Sequence, residues 1–155
     1  MRLSTDYALR NVFFDQYPQF NYNPSTPITN EFARLAKTRK WRLGTRVYRE
    51  NQRLCVRYEY KFLVGDRTEL ETLQLVCEKI GLAGDLSSIA KCKKALNQVN
   101  INIFDLLDGW KTGEIPLMWP TAKALSVYTV VADKVFPRGQ AERDAVLRIL
   151  IKRLN

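Results

Sequence analysis

Any chemistry this chain performs must be done without histidine, because the sequence contains none. That removes the Ser-His-Asp and Cys-His devices for activating a nucleophile, imidazole general-base catalysis, and most zinc-site types. The thiols replace little of this. Cys55, Cys77 and Cys92 are an odd-numbered set, each at an apolar-periodic position of a segment that reads as helix. They are expected to be small buried side chains. A three-cysteine metal site would need a fourth ligand and usually a closely spaced Cys pair, which is missing. No glycine-rich phosphate loop, paired-carboxylate motif or dinucleotide fingerprint occurs. The expectation is a non-enzymatic protein with no catalytic residue, no metal and no cofactor.

The side chain present in a chemically suggestive pattern is arginine. The chain carries 25 basic and 16 acidic residues, net +9, with a pI near 9.6. Ten cations fall between Arg34 and Lys61 against Glu50 and Glu59 alone, which is +8 in 28 residues. From Asp66 onward, thirteen basic and eleven acidic residues leave only +2. At about 100° per residue, Arg46, Arg49, Arg53, Arg57 and Lys61 share an arc of roughly 120° along about 22 Å of helix. Only Glu50 interrupts them, and Val47, Leu54, Cys55, Tyr58 and Phe62 occupy the adjacent arc, expected to face the core. Like charges stacked at i,i+4 repel, so the row implies an anionic partner or acids such as Glu69 and Glu71 folded against it. Guanidinium groups bind phosphate oxygens in bidentate fashion and release counterions as they do so. The candidate nucleic-acid-binding residues are therefore Arg46, Arg49, Arg53, Arg57 and Lys61, flanked by Arg39, Lys40 and Arg42. An acidic protein surface would satisfy the same charges.

Helical periodicity supplies the elements that would position these residues. Helices are expected over about 5–16, from Pro27 to near Trp41, 45–64 and from Thr68 to Ile80. Further helices follow from Ser87 or Ser88, over 101–107 capped by Asn100 and ended by Gly109, from Pro120-Thr121 to before Phe136, and over 141–154. Thr26 or Ser25 is expected to cap the second, and Asp66-Arg67-Thr68-Glu69 reads as a capping box. Residues 17–27 hold three prolines and should run extended as an aromatic strap. The β-branched run from Tyr128 to Val131 is kept helical, because the flanking spacing is helical. The whole reads as an all-α, single-domain bundle of about seven or eight helices, residues 1–155.

Other features carry weaker functional readings. Phe13, Phe14, Tyr17, Phe20 and Tyr22 could stack on single-stranded bases, although rings packed onto the bundle explain them more simply. Residues 88–107 outline a helix-turn-helix, yet the second helix offers no Arg or Lys, and Asp105 and Asp108 would repel phosphates. An interior helical hairpin is the expectation there. Lys37-Thr38-Arg39-Lys40-Trp41-Arg42 matches a nuclear-import cluster. No apolar run approaches a membrane span, and the first fourteen residues do not form a secretory signal. The expected setting is intracellular, nuclear or cytoplasmic, with no membrane partner.

Phe20-Asn21-Tyr22-Asn23-Pro24, Glu31-Phe32-Ala33-Arg34-Leu35, Trp41, Cys92-Lys93-Lys94-Ala95-Leu96, the stretch from Val99 to Leu106, Leu125-Ser126-Val127-Tyr128-Thr129 and Val135-Phe136-Pro137 together resemble a group of small helical proteins of filamentous fungi. Ile101-Asn102-Ile103-Phe104-Asp105-Leu106 corresponds to that group's central motif. The resemblance spans about Phe13 to Leu154 and implies a fungal, intracellular, helical protein. The group has no assigned activity, so no site residue carries over. The functional expectation is a binding module that uses a basic helix face for nucleic-acid phosphates with little sequence preference. The alternative is an interaction adaptor or self-associating module with an apolar surface around Trp110, Met118 and Trp119.

Overall fold

A computed structural model describes residues 10–151. Among these, the chain is all-helical: a 3-10 turn at Val12–Gln16 is followed by eight α-helices, and no strand occurs. We number them α1 (Ile28–Arg39), α2 (Arg46–Val64), α3 (Glu69–Ile80), α4 (Ile89–Leu96), α5 (Ile103–Thr112), α6 (Ala122–Val131), α7 (Arg138–Arg143) and α8 (Ala145–Leu150). Contacts divide the chain at Gly65 into two compact units, Met1–Gly65 and Asp66–Asn155.

The first unit is built around aromatic rings. Phe32 on α1 meets Phe13 of the 3-10 turn, Trp41 after α1 and Tyr48 on α2, with centroids 6.2, 5.9 and 5.1 Å apart. Buried Asn11 fixes the 3-10 turn at both ends of its side chain. Its Oδ1 accepts from the Phe13 N–H, and its Nδ2 donates to the Cys55 carbonyl on α2 at 3.0 Å. The first helix expected from residue 5 is thus a 3-10 turn over its described part, and its earlier residues, with Leu9, lie outside the described ones. Residues 17–27 are not a simple extended strap but a chain of turns closed by backbone bonds from Phe20 to Tyr17, Tyr22 to Phe20 and Thr26 to Asn23. α1 starts after Pro27 with no side-chain cap, so neither Ser25 nor Thr26 caps it. It stops at Lys40, whose left-handed backbone lets its N–H and that of Trp41 reach the Ala36 carbonyl.

In the second unit α3 is the hub, packing against α4, α5 and α8. Leu73, Val76, Cys77 and Ile80 on α3 share a core with Cys92, Leu96, Phe104, Leu106, Leu107, Val146 and Leu150. The capping box forms two residues further on than the sequence pattern suggested: Thr68 Oγ accepts from the Glu71 N–H, and the Glu71 carboxylate accepts from the Thr68 N–H. Of the hairpin α4–α5 only the second arm is interior, since every residue from Ile101 to Leu107 except half-exposed Asp105 is buried, whereas α4 buries Cys92 and Leu96 alone. Three boundaries moved. Asn102, not Asn100, caps α5, and Gly109 lies inside that helix, which ends at left-handed Gly113. α6 ends at Val131, leaving Ala132 exposed. The expected final helix is two, because extended Asp144 interrupts it and its carboxylate accepts the Val146 and Leu147 N–H groups that open α8; Leu154 lies outside the described residues. The β-branched run before Val131 is helical.

Candidate nucleic-acid interface

The basic residues sit on α1, the turn after it and α2, all within the first unit. Thr45 builds that turn: its N–H and Oγ both donate to the Arg42 carbonyl, while its Oγ accepts the Tyr48 N–H and caps α2. Arg46 and Arg49 therefore occupy the first turn of α2, which holds no acidic residue. The macrodipole adds positive potential there instead of being offset. Lys37, Arg39, Lys40, Arg42, Arg46 and Arg49 are all exposed.

Along the rest of α2 the expected row is less uniform. Lys61 is exposed, but Arg53 and Arg57 are half-buried, and Tyr60, on the same arc, is only 5% exposed. The core face is also rotated from the expected one. Tyr48, Cys55, Val56, Glu59 and Tyr60 are buried, whereas Val47 is exposed and Leu54, Tyr58 and Phe62 are intermediate. The cationic row thus borders the buried face at its C-terminal half, and its open end is the α1–α2 corner.

Most acids among the described residues of this unit are engaged elsewhere. Arg10 pairs with Asp15. Glu31, 2% exposed, accepts two bonds from Arg34 at 3.0 and 2.9 Å and one from the Asn23 N–H at 2.8 Å. These bonds hold the Arg34 pKa above its ordinary range. Glu59 is buried on α2. Glu50, within the row itself, pairs with Arg46 at 2.7 Å, raising the Arg46 pKa in the same way. Lys37, Arg39, Lys40, Arg42, Arg53 and Lys61 form no ion pair among the described residues. Arg49 donates to the Gly44 carbonyl, and Arg57 lies over the Tyr58 ring, 5.6 Å from its centroid. Glu69 and Glu71, the two acids suspected of covering the row, are engaged within the second unit, Glu69 with Lys93 at 3.7 Å and Glu71 in its capping box.

Sequence reasoning placed Arg34 in the basic run but missed its role. With Glu31 it pins the strap: Arg34 Nη2 also donates to the Asn21 carbonyl, and its guanidinium lies 4.2 Å from the Phe20 ring centroid. The i,i+3 spacing of Glu31 and Arg34 was the available signal. The strap's rings do pack inward. Tyr22 and Phe20 stack on buried Phe14 at 4.2 and 5.7 Å, and Tyr17 meets Trp41 edge-on.

Two features of the second unit bear on function. Ile115, Leu117, Met118, Val127, Val130 and Val131 are large and exposed. Beside them, Trp119 stacks on Tyr128 at 4.6 Å, along an apolar groove of about 670 Å³. Beneath, Asp105 accepts from Tyr128 Oη and Lys134 Nζ, each at 2.7 Å. Burial lowers the Lys134 pKa, but the bonds to Asp105 and Tyr128 outweigh it and leave the ammonium above its ordinary range. All three cysteines are buried free thiols, as expected, and burial beside Cys92 pushes Cys77 up to about 12. Among the described residues there is no cluster of three or more metal-ligating side chains and no helix long and apolar enough to cross a membrane.

Comparison with protein-family models, curated proteins and solved structures gives no match. The likeness to fungal proteins thus rests on sequence pattern alone.

Proposed function

We propose that the first unit is a non-enzymatic nucleic-acid-binding module whose cationic α1–α2 corner and α2 row engage phosphates with little sequence preference. One observation carries this reading: Lys37, Arg39, Lys40 and Arg42 stand exposed with no ion pair among the described residues, and the neighbouring carboxylate, Glu50, is paired with Arg46. Unspent charge of one sign is what releases counterions from a polyanion. In the second unit α5 offers no basic base-reading face, since its apolar side is buried and it carries Asp105 and Asp108. Binding through phosphates alone positions a protein without specifying sequence.

The test is fluorescence anisotropy with labelled DNA and RNA oligonucleotides over a salt series. Five duplex phosphate contacts give a log–log salt slope of roughly −4.5. Arg49→Glu with Arg53→Glu should abolish binding at moderate salt. Binding that ignores salt, or survives the double reversal, sinks the reading.

A second reading, an interaction adaptor, is favoured by the exposed apolar side chains from Ile115 to Met118 and on α6. Contiguous patches of that kind mark protein contacts in soluble domains. Sedimentation at two concentrations discriminates: a stable dimer that Val131→Glu dissolves supports this alternative.

A further inference from the structure

The strap and the last two turns of α1 enclose a groove of about 530 Å³, lined by Tyr17, Pro18, Gln19, Phe20, Arg34 and Arg39 among others. That volume falls within the range of small-molecule sites, roughly 300–1,000 Å³. It lies at the cationic corner, because Arg39 belongs to both.

The two guanidinium groups in it differ in kind. Arg34 lies over the Phe20 ring, and Glu31 and the Asn21 carbonyl hold its plane, so its charge is spent while its flat surface is fixed. Such a plane stacks on a heterocycle and does little for a phosphate. Arg39 lies over Tyr17 at 5.0 Å, is exposed, and has no carboxylate partner among the described residues. It remains available to a phosphate. Exposed Gln19 adds an amide at the rim with a donor and an acceptor for a base edge.

A locked stacking surface a few residues from an unspent cation fits a heterocycle with an attached phosphate. We infer that this groove receives one unpaired nucleotide of a nucleic-acid strand, its base on the outer face of the Arg34 guanidinium that Phe20 backs and its phosphate on Arg39, so that the module prefers single strands. The inference rests on the phosphate-binding reading above, since the corner's cations would carry the flanking backbone. A base held inside a duplex cannot enter, because its faces are covered by its neighbours.

Anisotropy at fixed salt with a single strand, a blunt duplex of the same phosphate number, an abasic single strand, adenosine monophosphate and polyglutamate tests it. The expected result is about tenfold tighter binding of the single strand than of the duplex or the abasic strand, in line with base–aromatic stacking. Adenosine monophosphate should bind far more weakly than the strand. Phe20→Leu, with folding checked by melting, should bring the single-strand to duplex ratio near one. Arg39→Gln, at an exposed position, should weaken single-strand binding several-fold and serves if Phe20→Leu does not fold. Equal affinity for all three strands overturns the groove while leaving the phosphate surface standing. A mononucleotide binding as tightly as the strand overturns the strand assignment. Salt-independent or absent nucleic-acid binding, or a preference for polyglutamate, overturns both readings.

Discussion

Glu31 shows how one side chain organises the first unit. Its carboxylate is buried, and it gathers the strap through the Asn23 N–H and fixes Arg34, which in turn holds the Asn21 carbonyl. Glu31→Ala would leave the Arg34 guanidinium and the Asn23 N–H without their acceptor. Bonds to charged groups contribute about 1.5–3 kcal/mol, so we expect a loss of roughly 2–3 kcal/mol in urea unfolding. Glu31→Gln should recover part of it by keeping one acceptor oxygen. A loss below 0.5 kcal/mol would mean that the strap is held by its rings alone. Gly109 is a second informative residue. A Cβ built there would lie 2.2 Å from the Glu114 carbonyl oxygen, where backbone cannot yield cheaply. Gly109→Ala should destabilise by about 2–3 kcal/mol, although alanine is the better helix former. Urea unfolding of the variant measures this, and an unchanged or raised stability would refute the close approach.

At the scale of elements, the sequence disclosed helices more readily than their ends. α2 and α3 fall close to the spans expected for them, 45–64 and Thr68 to Ile80. Gly109 misled because glycine reads as a terminator, whereas here the returning chain at Glu114 demands a missing Cβ inside the helix. Asp144 misled in the opposite sense, since a polar residue in a helical pattern gives no warning that it will turn extended and cap the next helix. The α2 core face was misplaced for a different reason. Burial of Glu59 and Tyr60 cannot be read from a polarity pattern that counts them as surface residues. The Thr68–Glu71 box offers a prediction at this scale. Thr68→Ala should cost about 1 kcal/mol, measured by urea or thermal unfolding. The backbone and side-chain bonds of Thr68, with Arg67 nearby, hold the Glu71 pKa below its usual 4.5. A carboxylate with a depressed folded-state pKa stabilises fully above its unfolded value and loses that contribution as pH falls through the folded one. Between pH 4.5 and the lower folded value, wild type should therefore lose more stability than Glu71→Gln. Parallel pH profiles for the two proteins would show that the box gains nothing from its charge.

At the scale of the whole chain, net charge is concentrated in the first unit, while most of the exposed large apolar side chains among the described residues lie in the second. The first unit carries twelve basic and five acidic residues in sequence, net +7, against +2 for the second. This much of the candidate interface was legible, because spacing alone counts cations. The stacking groove was not, since it depends on residues 13–23 folding back onto α1 and on which arginine finds a carboxylate. This concentration of charge has a thermodynamic consequence. Mutual repulsion among unspent cations raises the free energy of the folded first unit, and salt screens it over about 10 Å at 0.1 M. Any polyanion that binds only the folded state adds stability in proportion to the logarithm of its concentration. The chain has three tryptophans, and Trp41 alone lies before Gly65. With Trp110 and Trp119 replaced by Phe, indole fluorescence reports on the first unit only. Its melting temperature should rise by several degrees between 20 and 500 mM salt, using about 4–8 °C per kcal/mol for a unit of this size. It should rise again at low salt when a single-stranded oligonucleotide is added. Arg49→Glu with Arg53→Glu should flatten both responses, because two cations become two acids within the row. A melting temperature indifferent to salt would mean that the cations do not repel one another appreciably, and an anionic partner would then have no unspent charge to claim.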